Sequence, residues 1–463
     1  MTNDDAHPKL TPFPFAVNRL THHLQNPILR GAVGSLSLNS IDTGLAWLTS
    51  ILFAHILGVS GYGIYAYAIA WMTVLRIPAT LGLDKLLIRE IAIYKTQSAW
   101  DLMRGLLNWS NRLGIGISVT IALIAAGFAG ILGQGSERQM LIAFWMAMLF
   151  LPVCSLRSLK LGAMKGYHQV VMGLLPERLI APVLLIVFTL CGYWLLGDRL
   201  RAAGVVGLYG IAITLTFVIS SRWLNQLLPS VTKDAVPKYQ VKAWLKSALP
   251  LMFLGGMQIL HARTDILMLG TIKGAEAVGI YVVVMRGTQL INVILMSVNN
   301  ALAPTVASLY ADHKIQKLQK IITTSSRSIL LLSCIVAGGL IGLGHWYLLL
   351  FGAEFTQGQN ALTILTIGQL VNAATGSVGL LLNMTGHERY TLMSVGASAV
   401  INIIGNALLI PKWGINGAAT ATTISLVFVN IVKVLWVRKT LGIDSTAFQL
   451  IKESDTINVN GGD

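Results

Sequence analysis

The phrases GVSGYGIYAYA, running from Gly58 to Ala68, and GAEAVGIYVVV, running from Gly274 to Val284, echo one another across the chain. Each sets Gly-Ile-Tyr five residues after a glycine, at the mouth of a long apolar run. Their offset, 279 minus 63, is 216 positions, close to half of the 463 residues. A second pair begins with GVVGLYG at Gly204 and GINGAAT at Gly414, an offset of 210. Self-similarity at half-chain spacing means that one structural unit is used twice. In a membrane-embedded chain that duplication is the architecture of secondary transporters, whose substrate site lies between the repeats.

Composition places the repeat in a bilayer. Charged residues make up 11% and hydrophobic ones 54%, against about 25% charged in soluble domains. So few charges cannot clothe a soluble globule of this length, and the mean hydropathy is +0.68. The formal net charge of +15 fits basic loops facing the cytoplasm. It does not fit nucleic-acid binding, since no basic, aromatic-interleaved soluble domain is present. Cys154, Cys191 and Cys334 lie inside apolar runs without CxxC spacing and read as small packing residues. The first thirty residues lack a signal-peptide pattern, so the first span is expected to act as the insertion signal.

Spans of about 20 apolar residues are expected near 33–57, 62–83, 107–132, 139–156, 178–197, 203–226, 247–270, 277–307, 328–350, 358–384, 391–410 and 414–436. The fold class is therefore an all-α polytopic membrane protein. About twelve transmembrane helices form two six-helix bundles around a central cavity, and an even number per half makes the repeats parallel. The expected organisation is an N-terminal tail over 1–31, a bundle over 32–227, a linker over 228–246, a second bundle over 247–437 and a tail over 438–463. Alternate loops hold about 24 Lys and Arg against about 5 in the others, which puts both termini in the cytoplasm. Segment 309–327 sets Ile315, Leu318, Ile321 and Ile322 opposite Lys314, Lys317 and Lys320, as in a helix lying on anionic headgroups or a solvated connector. Pro78 is expected to interrupt helix 2, and Gly255-Gly256 after Pro250 to interrupt helix 7.

No GxxxxGK[ST] phosphate loop, HExxH motif or Cys/His metal spacing occurs. Transport would then run on an ion gradient, of protons or sodium, or on the substrate's own gradient, with no cofactor and no metal expected. What remains is polarity inside the membrane, where a charge near the centre costs at least about 2.5–3.5 kcal/mol and by default lines a cavity. Asp42 and Arg286 lie near mid-depth, while Arg76, Arg112, Arg263 and Asp265 are shallower, where snorkelling or local pairing is open to them. Arg286, Gln289, Asn292, Asn299 and Asn300 share one face of helix 8. Asn39, Asp42, Thr43, Thr49 and Ser50 share one face of helix 1. Gln258, His261 and Asp265 share a face of helix 7, with Arg263 pointing elsewhere. Ser394, Ser398, Asn402 and Asn406 form an i, i+4 ladder on helix 11 that also suits helix packing. His55 and His345 read as structural. Under the repeat, Asp42 maps onto Gln258, Arg76 onto Asn292 and Arg286 onto Ala70, so the frame is shared and the charges are not.

Helix 1 ending in ILFAHILGVSGYGIYAYA, then LRIPATLGLDKLLIREIA, TDILMLGTIKGAEAVGIYVVVMRG and WGINGAATATTISLVF resemble the polysaccharide-flippase family of the multidrug/oligosaccharidyl-lipid/polysaccharide exporter superfamily, over about residues 30–440. The resemblance implies two bundles around a cation-lined cavity and alternating access. It implies a lipid-linked oligosaccharide, a sugar chain on a polyprenyl diphosphate, as cargo for cell-surface polysaccharide biosynthesis, in the cytoplasmic membrane. The matching arginines are Arg286, Arg76 and Arg89. The expected substrate-binding set is Arg286, Gln289, Asn292, Arg76 and Asn299, with Asp42 and Asp265 as coupling candidates. Membrane lipids, a glycan polymerase and other export components are candidate partners.

Three other readings compete. A multidrug extruder of the same fold would want acidic, aromatic-rich walls for organic cations. A membrane ligase or polymerase would want a long outer loop carrying reactive residues, and the outer loops here are short. A scaffold for an envelope complex would not depend on the arginines.

Overall fold

The structure, a computed structural model, describes residues 27–132 and 138–448. The outer parts of both expected tails, 1–26 and 449–463, lie outside the described residues. Among the described residues every regular element is a helix. In the first half these are α1 (Pro27–Thr80), α2 (Leu83–Thr96), α3 (Trp100–Leu132), α4 (Arg138–Gly166), α5 (Val170–Leu175), α6 (Ala181–Leu196) and α7 (Ala202–Leu227). A π-type turn, Pro176–Ile180, joins α5 to α6 without a break. The short α8 (Ser230–Asp234) leads to the second half: α9 (Val241–Lys273), α10 (Ala275–Ala311), α11 (Ile315–Gly342), α12 (Gly344–Leu349), α13 (Gln359–Thr375), α14 (Val378–Met384) and α15 (Glu388–Leu441). Helices alone satisfy every backbone group internally where no water reaches, which is why apolar sequence of this length folds this way.

Nine of these helices are long and apolar enough to cross a membrane, and a tenth unit is the pair around α13 and α14, bent by 44°. Two of the ten, α1 and α15, each run 54 residues. At about 1.5 Å per residue that is roughly 80 Å, far beyond a hydrocarbon core of about 30 Å. Each is broken by a glycine in the left-handed region, Gly58 (φ 67°, ψ −178°) and Gly414 (φ 54°, ψ −127°). By length and composition the described residues thus hold nine or ten candidate spans, two of them divided into two arms at a glycine.

The duplication is written in the backbone. Left-handed residues recur in register at Gly58 and Gly274 (offset 216), Ser98 and His313 (215), His168 and Gly386 (218) and Gly197 and Gly414 (217). The last pair shares its full geometry, φ 53° and ψ −134° against φ 54° and ψ −127°. The sequence pairing of Gly204 with Gly414 is therefore displaced by seven residues. The apolar phrases match, but the chain reversal sits at Gly197, and the short turn Gly197–Arg199 takes up the difference.

Several expectations are corrected. Helix 2 continues past Pro78 to Thr80 and breaks at Leu81 (φ 48°) and Gly82 (φ 72°). Helix 7 is unbroken at Gly255-Gly256. Those glycines serve close packing: a Cβ on Gly256 would meet Ile77, and one on Gly255 would meet Lys85. Segment 315–327 is not a separate surface helix but the first turns of α11, with Leu318 and Ile322 fully buried against Val306, Leu381 and Val437. Residues 157–166 and 170–178, read as a loop, are helical.

The halves meet where α1 crosses α10 and α9. At the end carrying Gly58 and Gly274, the backbones touch: a Cβ on Gly63 would collide with the carbonyl of Ala275, and one on Gly279 with the carbonyl of Val59. Trp47 stacks obliquely on Tyr347 and Phe351 just inside this seam, at centroid separations of 5.5 and 6.2 Å. At the opposite end, where α1 begins and α15 finishes, Gly82 lies against the backbone of Ala248 and Met252. Gly279→Val should therefore destabilise the protein by about 1–3 kcal/mol through overpacking. Heat-inactivation in detergent checks this, with Gly116→Val, where the surroundings are open, expected to behave as wild type.

Candidate functional site

Arg76 comes from the second arm of α1, just before the Leu81–Gly82 break, while Arg263 and Arg286 come from α9 and α10. Arg263 lies within electrostatic range of both Arg286 and Arg76 and of the phenols of Tyr65 and Tyr209, while Arg76 also lies within range of Glu177 and Asp84. Arg76 donates to Ser158 Oγ at 3.0 Å and Arg286 to Gln289 Oε1 at 3.2 Å. Among the described residues none of the three forms an ion pair. Helical geometry explains the convergence. The arm bearing Arg76 runs along α9, with the guanidinium bonded to Ser158 of its own half, and Arg286 sits about two turns below the Gly63–Gly279 contact between α1 and α10. A cavity of about 40 Å³ between the halves is lined by Arg76, Asp84, Lys85 and Ser158 on one side and by Met252 and Gly256 on the other.

Arg263, assigned by phase to a different face from the helix 7 stripe, thus belongs with Arg286. Its separation from Asp265 is what phase predicted; its destination was not visible. On α10, Gln289 and Asn300 are exposed and Asn292 and Asn299 half-buried. Asn299 Oδ1 is buried without a hydrogen-bond partner.

Asp42 is not isolated. It pairs with Arg178 Nη1 at 2.5 Å, joining α1 to the π-type turn that follows α5. Other members of its stripe are satisfied locally: Thr49 and Ser50 donate to the carbonyls of Leu45 and Ala46, each at 2.7 Å. The side chain of Asn39 lies outside the described residues. Arg112 and Arg89 are exposed, Arg89 beside Glu90 at 2.7 Å. His55 bonds the Ile51 carbonyl at 2.9 Å and His345 is exposed.

The sequence reading missed Glu177, Arg157 and Arg178. Glu177 sits within electrostatic range of Arg157, Lys165, Arg76 and Arg178, and Arg157 is 4% exposed. The PERLIAP phrase reads as a loop ending, because Pro176 and two charges precede the apolar run. The signal available was Arg157 lying three residues after the buried Cys154 without a local acidic partner.

Asp265 forms a second, separate centre. It is 3% exposed and accepts hydrogen bonds from Asn406 Nδ2 at 2.7 Å, Thr422 Oγ1 at 2.5 Å and Tyr281 OH at 3.0 Å. Asn406 also donates to Asn402 Oδ1 at 3.1 Å, and Asn406 Oδ1 is buried without a partner. No cation pairs with this carboxylate among the described residues. The helix 11 ladder is divided: Ser394 and Ser398 bond backbone carbonyls at 2.7 and 2.8 Å, while Asn402 and Asn406 belong to the Asp265 centre. His261 lies one turn before Asp265 on α9. Among the described residues no group of three His, Cys, Asp or Glu side chains gathers as a metal site.

An all-helical duplicated frame with charged side chains converging on the seam is that of the transporters of the multidrug/oligosaccharidyl-lipid/polysaccharide superfamily. The inward-facing structure of a multidrug resistance MATE family transporter superposes with a TM-score of 0.69 at 16% identity, over 88% of this chain and 94% of that one. The lipid II flippase MurJ in an inward closed conformation gives 0.69 at 14%, over 89% and 87%. The description "polysaccharide biosynthesis protein" matches residues 28–310, more than half of the sequence, and the chain belongs to that family. The MatE family description matches residues 250–408. Among curated relatives, the probable flippase AglR of Haloferax volcanii is 24% identical over 88% of this chain and 83% of its own. A probable low-salt glycan biosynthesis flippase of the same organism is 23% identical over 86% and 81%.

The Asp42–Arg178 pair is half-exposed, so its coupling should be small, about 1 kcal/mol or less. A double-mutant cycle on thermal stability with Asp42→Asn and Arg178→Gln is expected to show that the double variant costs less than the sum of the singles.

Proposed function

We propose that the protein is a flippase that moves a lipid-linked oligosaccharide, a sugar chain on a polyprenyl diphosphate, across the cytoplasmic membrane by alternating access for cell-surface polysaccharide biosynthesis. The observation that carries this reading is the trio Arg76, Arg263 and Arg286, contributed by both halves and unpaired with any carboxylate among the described residues. Two cations about 8 Å apart in a medium of effective dielectric near 20 repel by about 2 kcal/mol. A diphosphate relieves that repulsion and accepts forked, charge-assisted hydrogen bonds from each guanidinium. Gln289, Asn292 and Asn299 along α10 offer amides for sugar hydroxyls. The lipid tail stays in the bilayer while the headgroup alone is lodged between the halves.

The two seams suit such a cycle. Each has glycine against backbone, at Gly63 and Gly279 at one end and at Gly82 at the other, where Gly256 also packs on the Ile77 side chain. The domain organisation follows, with bundles over 32–227 and 247–437, a linker over 228–246 and cytoplasmic termini. Membrane lipids are obligatory partners, and a glycan polymerase is a plausible consumer of the product.

Coupling falls on Asp265 rather than Asp42, whose charge is already met by Arg178. The Asp265 carboxylate has only neutral donors around it, and the amide oxygens of Asn402 and Asn406 and the Thr422 hydroxyl supply further hard oxygens. That set suits a proton or a sodium ion. A multidrug extruder has equal support from the fold, since the MATE and MurJ superpositions score alike. The arginines favour an anionic cargo over an organic cation.

Arg286→Ala is expected to abolish surface-glycan export while the protein still inserts, and Arg286→Lys to restore only part of it, because the fork is lost. Export assayed in a strain lacking the native gene, with membrane content measured alongside, checks both, and normal export by Arg286→Ala would defeat the reading. Asp265→Asn should remove the dependence of transport on an imposed proton or sodium gradient in proteoliposomes, with separate gradients identifying the ion.

A further inference from the structure

A second basic cavity lies away from the seam, wholly within the first half. It measures about 190 Å³, well above the roughly 10–15 Å³ that one water needs. Its walls come from the start of α3 (Arg104, Asn108, Asn111), the last turns of α4 (Lys160), the end of α7 (Asn225) and α8 (Thr232, Lys233). Three cations and three carboxamides line it, and no carboxylate does.

Two of its groups are conspicuously unsatisfied. Thr232 is 2% exposed and its Oγ1 has no hydrogen-bond partner. Lys160 is half-buried and forms no ion pair among the described residues. A buried hydroxyl and a recessed ammonium facing one space are costly unless something pairs with them. The nearby acids do not fill the gap. Asp101 is held by Lys238 at 2.7 Å, and Asp234 is exposed outside the cavity wall.

The roof of the cavity is the connection between the halves. Arg104 Nη1 donates to the Ala235 carbonyl at 2.6 Å, Lys238 N to the Asp101 carbonyl at 3.1 Å, and Gly105 lies against the Lys238 backbone. Residues 230–240 are thereby strapped across the first turn of α3 before the chain passes into α9. Because α3 begins here and α4 and α7 end here, the cavity sits at the level where helices leave the apolar layer. Helix ends are where a spanning bundle meets the lipid phosphates.

We propose that this cavity binds the phosphate of an anionic phospholipid headgroup, and that the bound phosphate bridges Lys160 to Thr232 and Lys233, pinning the strap to the first half. Occupancy then restrains how far α9, and with it the second half, moves against the first. The site is independent of what the seam transports.

The test uses the full-length protein, delipidated in a neutral detergent and titrated with phosphatidylglycerol, with phosphatidylcholine or with inorganic phosphate. Thermal stability and hydrogen exchange of residues 230–240 are followed. Phosphatidylglycerol should stabilise saturably and slow exchange in the strap. Lys160→Met, which keeps the apolar stem, should weaken its apparent affinity at least tenfold, as should Thr232→Val in smaller measure. Lys317→Gln, on the other half, should not. Equal affinity of wild type and Lys160→Met, or stabilisation without any change in strap exchange, would overturn the proposal. A response to inorganic phosphate matching that to phosphatidylglycerol would overturn the lipid as occupant. Should Lys160→Met fail to fold, Lys233→Gln with Thr232→Val carries the same expectation.

Discussion

Apolar surroundings leave a backbone amide no partner but its own helix, and this constraint governs the molecule. It makes every long element helical and forces chain reversals to the ends of the helices, into single left-handed residues. Those residues recur at offsets of 215 to 218 positions. The duplication thus survives as a pattern of breaks even where side chains have diverged. The breaks without a counterpart are then informative. Leu81–Gly82 interrupts only the first half's second helix, while its equivalent α10 runs 37 residues unbroken. Gly376 breaks only the second half. Both irregularities lie at the same end of the bundle, Leu81–Gly82 beside Arg76 at the seam and Gly376 against Ser326 and the Ser445 carbonyl in the second half.

Charge follows the opposite rule. The frame is symmetric and the ionisable groups are not. The first half carries Glu177 among Arg76, Arg157 and Arg178, so its interior is cationic with one acid to balance it. The second half carries Asp265 among neutral donors. An unpaired arginine cluster and an unpaired carboxylate are each costly alone, and their separation keeps them from neutralising one another. A fold needing only stability would let them meet. They are held apart on α9, where Arg263 and Asp265 are two residues apart and point to different centres.

Much of this was legible in the sequence. The repeat, the run of long apolar segments and the polar stripe of α10 follow from periodicity, which registers one face of one helix at a time. Periodicity also separated Arg263 from Asp265 correctly. It could not show that Arg263 turns toward Arg286, because that depends on how α9 and α10 cross. Glu177 was hidden for a different reason: proline followed by charges ordinarily marks a loop, and here a π-type turn carries the helix through it. Pro78 misled in the reverse direction. The helix absorbs it and breaks three residues later, where Gly82 accepts the backbone of Ala248 and Met252.

Gly82 also explains why the break sits where it does. A left-handed glycine without a Cβ lets α9 pack directly on the turn, and the turn carries Arg76 one helical turn upstream. A rearrangement that separates Gly82 from Met252 moves the arm bearing Arg76 relative to α9 bearing Arg263. The arrangement of the arginines is therefore tied to the opening of that end of the seam, without a relay between distant parts.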